Sequence, residues 1–429
     1  MKAAFYTLGC KVNQYESEYM AELLKNAGFE IVPPEEEADY YIINSCTVTA
    51  TADKKTKQNV RKFKRNHPDS TVILTGCMPQ AFPEEAKKLT QADIVFSNKN
   101  DGDILSLINE YNTTKRRTVR IEKHESSDGF GSCAIGEFSE RIRAFVKIED
   151  GCDRFCSYCI IPMARGRVRS KPLNELKDEI KTLGENGIRE IVLVGINLSA
   201  YGKGLGYGLA DAVRVCNDDK NILRVRLGSL EPDHITDGMI NALSECGKLC
   251  PQFHISLQSG CNRTLKNMNR HYTADEYRQL CSKLRKAFPD CTLTTDVMTG
   301  FHEESDADFL ESLDFIKEIG FEKVHTFPYS ERTGTAASRR GDSVTKAVKE
   351  QRAATVIREA EKLRANFMNR QIGKTVRVLF ESRHGDEYRG YTGNYIPVSL
   401  KSDTDLVGSE LDVIIISYSP EADLCYSEL

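Results

Sequence analysis

Short apolar runs alternate with amphipathic stretches from the first residues onward. Residues 2–8 read as a strand, 15–27 as a helix closed by Gly28, 39–44 as a strand, 52–66 as a helix and 71–75 as a third strand. This βαβαβ order predicts a parallel sheet with helices packed on it. Residues 111–140 turn polar, with a Ser/Gly-rich centre at 126–132, and read as a linker. A longer βα series follows, with strands expected over 143–148, 190–195, 222–228, 252–257, 292–297 and 322–327, and helices over 173–186, 274–286 and 306–319 among others. Six units are fewer than the eight of a closed barrel, so the expected barrel is open on one side, where a large substrate can enter. A long helix over 344–370 leads into β-rich alternation over 373–429, enough for a small barrel. The expected fold class is α/β in three parts: a parallel-sheet α/β domain over 1–115, a partial (βα)6 barrel over 138–370 and a small all-β barrel over 371–429.

Cysteines lie at the ends of these strands. Cys10, Cys46 and Cys77 each follow the C-terminal end of one N-terminal strand. Ligands bind at that edge of an open α/β sheet, so the three thiols are expected to converge into a metal site. The competing reading is that cysteine is simply a common buried residue. Cys152, Cys156 and Cys159 follow the first barrel strand in Gly151-Cys152-Asp153-Arg154-Phe155-Cys156-Ser157-Tyr158-Cys159. Thiolates at this spacing can hold three irons of a four-iron four-sulfur cluster and leave the fourth iron open to a small molecule. An open position marks a catalytic metal site, whereas electron-carrying clusters normally have four cysteine ligands. A zinc site competes, although zinc ligands usually come as paired clips and no second clip lies downstream. Three unrelated buried cysteines are the other alternative.

Tyr158, just before the last of these cysteines, is placed to pack on a bound cofactor or to serve as core. The same barrel face is expected to collect Gly195, Asn197, Ser229, Glu231, Gln258 and Asp296. Glycine lets a backbone approach a ligand closely. Carboxylate, amide and hydroxyl groups can fix an amino-acid moiety and a ribose, although loops carry such residues anyway. His254, inside a strand, reads as a satisfied core histidine.

The formal net charge of −4 excludes a globally basic nucleic-acid binder but not a local basic face. Residues 54–65 hold several Lys and Arg and no acid, and Arg165, Arg167, Arg169 and Lys171 follow the second cysteine group. Such runs are either solvated surface or grips for a polyanion. From Gln371 on, five Lys and Arg face ten Asp and Glu, so RNA binding by the last part needs a local basic patch or stacking on Tyr388, Tyr391 and Tyr395. The first ten residues faintly resemble a lipoprotein leader, but their apolar stretch is too short. With no other leader apparent and no run near the roughly 18 apolar residues of a membrane helix, a cytoplasmic location is expected. Thiols stay reduced there, and fourteen cysteines favour metal or redox use over disulfides.

These motifs resemble the methylthiotransferase family of radical SAM enzymes along nearly the whole chain. The carriers are Thr7-Leu8-Gly9-Cys10-Lys11-Val12-Asn13-Gln14-Tyr15-Glu16-Ser17, Asn44-Ser45-Cys46-Thr47-Val48-Thr49, Cys77 and the Cys152–Cys159 run. Lys11-Val12-Asn13 stands where the isopentenyladenosine branch has Gln-Met-Asn, and the match is to the branch acting on N6-threonylcarbamoyladenosine (t6A) in tRNA. The loop Gly300-Phe301-His302-Glu303-Glu304 departs from the family's Gly-Phe-Pro-Gly-Glu, which puts that turn's cofactor role in doubt. The resemblance implies a methylthiotransferase domain, a radical SAM domain and a TRAM barrel, in that order. It implies two 4Fe-4S clusters, on Cys10, Cys46 and Cys77 and on Cys152, Cys156 and Cys159, together with S-adenosyl-L-methionine (SAM). A 5′-deoxyadenosyl radical would take the hydrogen from carbon 2 of the adenine, and the N-terminal cluster would deliver the methylated sulfur. A side-chain acid or base cannot open that C–H bond. Implied partners are the tRNA anticodon stem-loop, an electron donor such as flavodoxin or ferredoxin, and a sulfur donor. Methylthiolation of isopentenyladenosine or of a ribosomal protein is the alternative. Cys133, Cys216, Cys246, Cys250, Cys261, Cys281, Cys291 and Cys425 have no assigned role, with Cys246 and Cys250 expected on a helix.

Overall fold

A computed structural model describes residues 1–131, 134–136 and 142–429. Cys133 and part of the expected linker lie outside the described residues. The N-terminal sheet has six parallel strands in the order Glu30–Val32, Lys2–Thr7, Tyr40–Ser45, Thr71–Gly76, Ile94–Phe96 and Thr118–Arg120. Helices cover both faces, so the two central strands are buried at every position. Alternation divides them cleanly: Tyr41, Ile43, Val72 and Leu74 pack on one side, Tyr40, Ile42 and Ile73 on the other. Two expectations shift here. The first helix is Lys11–Asn26, beginning before residue 15: extended Cys10 is its N-cap position, and Val12 in the first turn is buried three residues before Tyr15. The sheet also continues through Thr118–Arg120, inside the stretch read as linker, because three residues are too few to show alternation.

The central strands Arg143–Lys147, Glu190–Val194, Arg224–Leu227, Gln252–Ile255, Thr292–Thr299 and Lys323–Pro328 run parallel in chain order. Gly228 interrupts the third strand, which resumes as Ser229–Leu230 and divides the wall into two sheets. Among the described residues the first and last strands do not pair, so the (βα)6 barrel is open. Its main core lies between the strands and the outer helices, with Leu176, Ile180, Val213, Tyr277, Leu313 and Ile316 packed on Ile191, Leu193, Phe253 and Leu293. The Asp306–Ile319 helix falls where expected, because a Ser305/Asp308 capping box starts it and left-handed Gly320 ends it.

After the Lys346–Asn369 helix, five strands close into a barrel: Thr375–His384, Glu387–Thr392, Pro397–Lys401, Glu410–Ser419 and Leu424–Glu428. This barrel docks on the N-terminal ends of the central strands. Arg224 donates to the Tyr391 carbonyl at 2.6 Å, and Arg226 to the Thr392 and Gly393 carbonyls, each at 2.7 Å. Thr292 reaches the Asn394 carbonyl at 2.8 Å. Asp423 holds Arg364 at 2.9 Å and Lys323 at 3.3 Å. Tyr388 is core rather than a stacking platform. Tyr391 and Tyr395 stack on each other at 4.6 Å, with Arg143 against both rings. Among the described residues no helix is long and apolar enough to cross a membrane.

Candidate functional site

The N-terminal thiols converge at the sheet's C-terminal edge. Cys10 and Cys77 both direct their sulfurs at Asn13 Oδ1, at 3.6 and 3.9 Å. Asn13 is fixed in turn by its amide, which donates to the carbonyls of Leu8 (2.9 Å) and Ser45 (3.0 Å). Cys46 lies so close to Gly9 that a Cβ there would stand 2.7 Å from the cysteine Cβ and 3.0 Å from its sulfur, and Gly9 has a left-handed φ of 105°. Only glycine fits that position. Burial pushes the Cys77 thiol up to about 12, against the pull of Arg165. Burial also raises Cys46, and Cys10 adds to the effect.

The second trio is shaped by tight backbone contacts. A Cβ on Gly151 would fall 1.9 Å from the Arg167 carbonyl oxygen, and the Cys152 amide donates to the Gly166 carbonyl at 3.0 Å. Ser157 is held by the Met268 carbonyl (2.9 Å) and the Asn267 carbonyl (2.8 Å). Burial pushes Cys159 up to about 12 and raises Cys152, each helped by neighbouring cysteines. Each trio has one guanidinium on a sulfur: Arg165 Nε lies 3.3 Å from Cys77 and Arg270 3.2 Å from Cys156. Such N–H···S contacts tune cluster potentials.

Among the described residues no three His, Cys, Asp or Glu side chains gather closely enough for a single metal ion. Two sets of three neighbouring thiols, each without a fourth cysteine among the described residues, fit 4Fe-4S clusters with an open iron.

Arg165 joins the two parts of the molecule. It ends the short Ile161–Arg165 helix, is wholly buried, and forms a bidentate pair with Glu16 while donating to Asn13 at 2.7 Å. Lys147 reaches Glu16 at 2.9 Å, and Asp150 lies 3.3 Å from Arg169. Arg165 therefore has no surface from which to grip phosphate. Arg169 is also engaged, by the Arg165 and Arg167 carbonyls at 2.9 Å. Arg167 remains at the surface beside Asp153 and Phe155. Sequence reasoning missed the inward turn of Arg165, because its acid partner lies on a distant helix.

The barrel-mouth residues are brought to one end. Asn197 is buried, with neither amide atom partnered, and the Gln258 side-chain oxygen is likewise unpartnered among the described residues. Gln258 also holds a left-handed φ of 66°. These free polar atoms fit a bound polar cofactor. Gly195 lies over Glu149, where a Cβ would come within 2.7 Å of a carboxylate oxygen. Glu149 was not anticipated; burial raises its carboxyl well above the usual range, and its Oε2 accepts from the backbone N–H of Asn197 at 2.6 Å. Glu231 pairs with Arg270 at 2.6 Å, which links it to the Cys156 thiol. Tyr158 packs edge-on against Phe301, and burial raises its hydroxyl. Asp296 lies 3.2 Å from His254, whose other nitrogen meets Thr294 at 3.0 Å. His254 is thus satisfied, yet it lines a cavity rather than the core.

That cavity, of about 650 Å³, runs along the barrel interior. Gly195, Ser229 and Asp296 line it at the mouth, Arg143, Lys323 and Tyr395 at the floor, and Cys10 with Lys11 from the N-terminal part. Lys11 was not singled out as a site residue. The unassigned cysteines Cys216, Cys246, Cys250, Cys261, Cys281, Cys291 and Cys425 are all buried. Cys246 and Cys250 follow the Asp237–Ser244 helix instead of lying on it. In the variant loop, the Glu304 carboxylate accepts from the Gly300 amide at 2.7 Å, while Glu303 adopts a left-handed φ of 61°.

Residues 2–97 match the profile of the uncharacterized protein family UPF0004, and residues 146–316 match the radical SAM superfamily. The threonylcarbamoyladenosine tRNA methylthiotransferase MtaB of Bacillus subtilis is 36% identical over 96% of this chain and 93% of its own. MtaB of Thermotoga maritima is 40% identical over 87% of this chain and 85% of its own. A tRNA-2-methylthio-N(6)-dimethylallyladenosine synthase of Acetivibrio thermocellus is 31% identical over 95% and 87%. Among solved structures, the radical SAM methyltransferase TsrM of Kitasatospora setae superposes with a TM-score of 0.54 at 13% identity, covering 76% of this chain and 74% of that one. That likeness concerns the fold alone.

Proposed function

The chain belongs to the methylthiotransferase family of radical SAM enzymes, and from that membership we propose that it replaces the carbon 2 hydrogen of t6A, beside the anticodon of tRNA, with a methylthio group. The observation that carries this reading is the shared cavity: Cys10 of one trio and Gly195, Ser229 and Asp296 of the barrel mouth line the same space. When bound, two 4Fe-4S clusters and SAM supply the radical that opens the C–H bond and the sulfur and methyl that replace the hydrogen.

The chain's own residues hold and shield. Cys152, Cys156 and Cys159 hold one cluster, and Cys10, Cys46 and Cys77 the other. Asn197 and Gln258 offer their free amide atoms to SAM, with Tyr158, Gly195, Ser229, Glu231 and Asp296 around them. The barrel wall excludes water and fixes the base near both sites, where orientation replaces a chance encounter. The base enters unstacked from its loop. Exposed Lys54, Lys55, Arg61, Lys62 and Arg65 on the Ala50–Asn66 helix, with Arg167, face the stem phosphates. A flavodoxin or ferredoxin and a sulfur donor complete the cycle in the cytoplasm.

Two measurements test this. Anaerobically reconstituted protein is expected to hold about eight irons and eight sulfides, falling to about four of each when Cys152, Cys156 and Cys159 are all replaced by Ala. About four irons in the wild type, all lost in the variant, would remove the sulfur-delivering half. Mass spectrometry of tRNA nucleosides from a deletion strain is expected to show loss of 2-methylthio-t6A. Loss of the isopentenyladenosine product instead would move the assignment to that branch.

A further inference from the structure

Nearly every cation around the barrel cavity is already answered. Arg143 pairs with Glu190 at 2.5 Å and with Glu381, and Arg226 shares Glu190 at 2.8 Å. Lys323 pairs with Asp423 at 3.3 Å. Asp296, the carboxylate on the cavity wall, is taken by His254. Lys11 differs. Its ammonium stands over the Phe145 ring at 5.7 Å, and among the described residues it has no ion-pair partner. It occupies the first position of the 16-residue Lys11–Asn26 helix, whose first turn holds no acid, so the positive helix end adds to its charge. It sits beside Cys10 on the wall of a cavity within the roughly 300–1,000 Å³ range of small-molecule sites.

An unanswered ammonium at a helix start inside a cavity is a receptor for an anion. The t6A base carries one: the threonine carboxylate at the far end of its N6 arm. An isopentenyl arm carries none. Resting on the function proposed above, we propose that Lys11 receives the threonine carboxylate of the modified adenine and selects against bases whose N6 arm is uncharged. Lysine suits this role as a compact point charge on a flexible stem that can follow the arm into place. A substrate carboxylate there also relieves the crowding of Lys11, Arg143 and Arg226 in one cavity. Conversely, an apolar arm that covers the exposed Lys11 ammonium strips it of water without supplying a partner, which costs binding.

The test uses reconstituted holoenzyme and anticodon stem-loops bearing t6A, its threonine methyl ester or isopentenyladenosine. Affinity is read without reductant, and turnover with it. The wild type is expected to prefer the acid over the ester by about tenfold or more, as a charge-assisted contact requires. In Lys11→Gln the ratio is expected to fall to within about twofold, and Lys11→Arg is expected to keep most of it. Iron content shows whether neighbouring Cys10 still holds its cluster. Equal wild-type affinity for acid and ester overturns the proposal without any variant. So does an unchanged ratio in Lys11→Gln, or a loss of SAM affinity with the ratio intact, which would make the SAM carboxylate the occupant. Methylthiolation of the isopentenyladenosine stem-loop alone would instead overturn the proposed function, and product mass separates the two failures.

Discussion

Arg165 shows how much a single side chain's direction can change a reading. In a run with Arg167, Arg169 and Lys171 it looks like one phosphate grip among several. It is instead wholly buried, bonded to Glu16, Asn13 and Cys77. Its removal leaves the Glu16 carboxylate buried with less to answer it, so Arg165→Gln is expected to cost about 3 kcal/mol or more in denaturant unfolding. Iron at the Cys10, Cys46 and Cys77 site is expected to fall first, and full iron with wild-type stability would show the contact to be dispensable. Arg165→Lys is a poor substitute, since one ammonium cannot reach both carboxylate oxygens, the amide and the sulfur. Glu303 makes the opposite case. A left-handed non-glycine residue costs about 1–2 kcal/mol, part of which glycine returns as chain entropy. Glu303→Gly is expected to stabilise by about 0.5–1 kcal/mol, visible as a higher midpoint in a denaturant titration; a lower midpoint would mean that the Glu303 side chain matters more than its backbone. The Cys152–Cys159 spacing was legible because it is local, and the approach of Cys10, Cys46 and Cys77 because each follows the end of a neighbouring parallel strand. The role of Arg165 was not, because it depends on a carboxylate 149 residues away.

Elements with their own punctuation were read accurately, and those defined by neighbours were not. The Asp306–Ile319 helix carries its start and stop in sequence. The Thr118–Arg120 strand exists because Ile94–Phe96 offers it an edge, and nothing in its three residues says so. The Ala50–Asn66 helix lies between these cases. Thr56, Val60 and Phe63 face the sheet at helical spacing, which turns Lys54, Lys55, Arg61, Lys62 and Arg65 outward. Of its bases, Lys57 and Lys64 are paired, with Glu85 at 3.1 Å and Asp93 at 3.0 Å. Reversing Arg61 and Lys62 to Glu is expected to weaken tRNA binding whatever the base modified. The slope of log affinity against log salt should shrink by about one for each phosphate no longer gripped, with melting unchanged. Binding that keeps its affinity and salt slope would remove this face from the tRNA path.

The terminal barrel is held to the central one by charged and carbonyl contacts at the barrel floor. Asp423 is central there. Burial pushes its carboxyl up, but hydrogen bonding and charge from Arg364 and charge from Lys323 outweigh this and hold it below the usual range. A depressed carboxylate stabilises above its ordinary value near 4, and that contribution is lost as pH falls through the lower folded value. Hydrogen exchange is therefore expected to rise in residues 371–429 below about pH 4, while Asp423→Asn shows faster exchange already at neutral pH. An Asp423→Asn profile matching the wild type at both pH values would assign the clasp to Arg224 and Arg226 instead. RNA binding by the terminal barrel was expected to need a basic patch or stacking tyrosines; of those tyrosines, Tyr395 lines the bottom of the cavity, and the Thr392 and Gly393 carbonyls hold Arg226 beside it. Tyr395 therefore covers part of the cavity floor. Removing it exposes that side: a chain ending at residue 370 is expected to consume SAM with little methylthiolated product, because water and dioxygen gain a further way to the reactive centre.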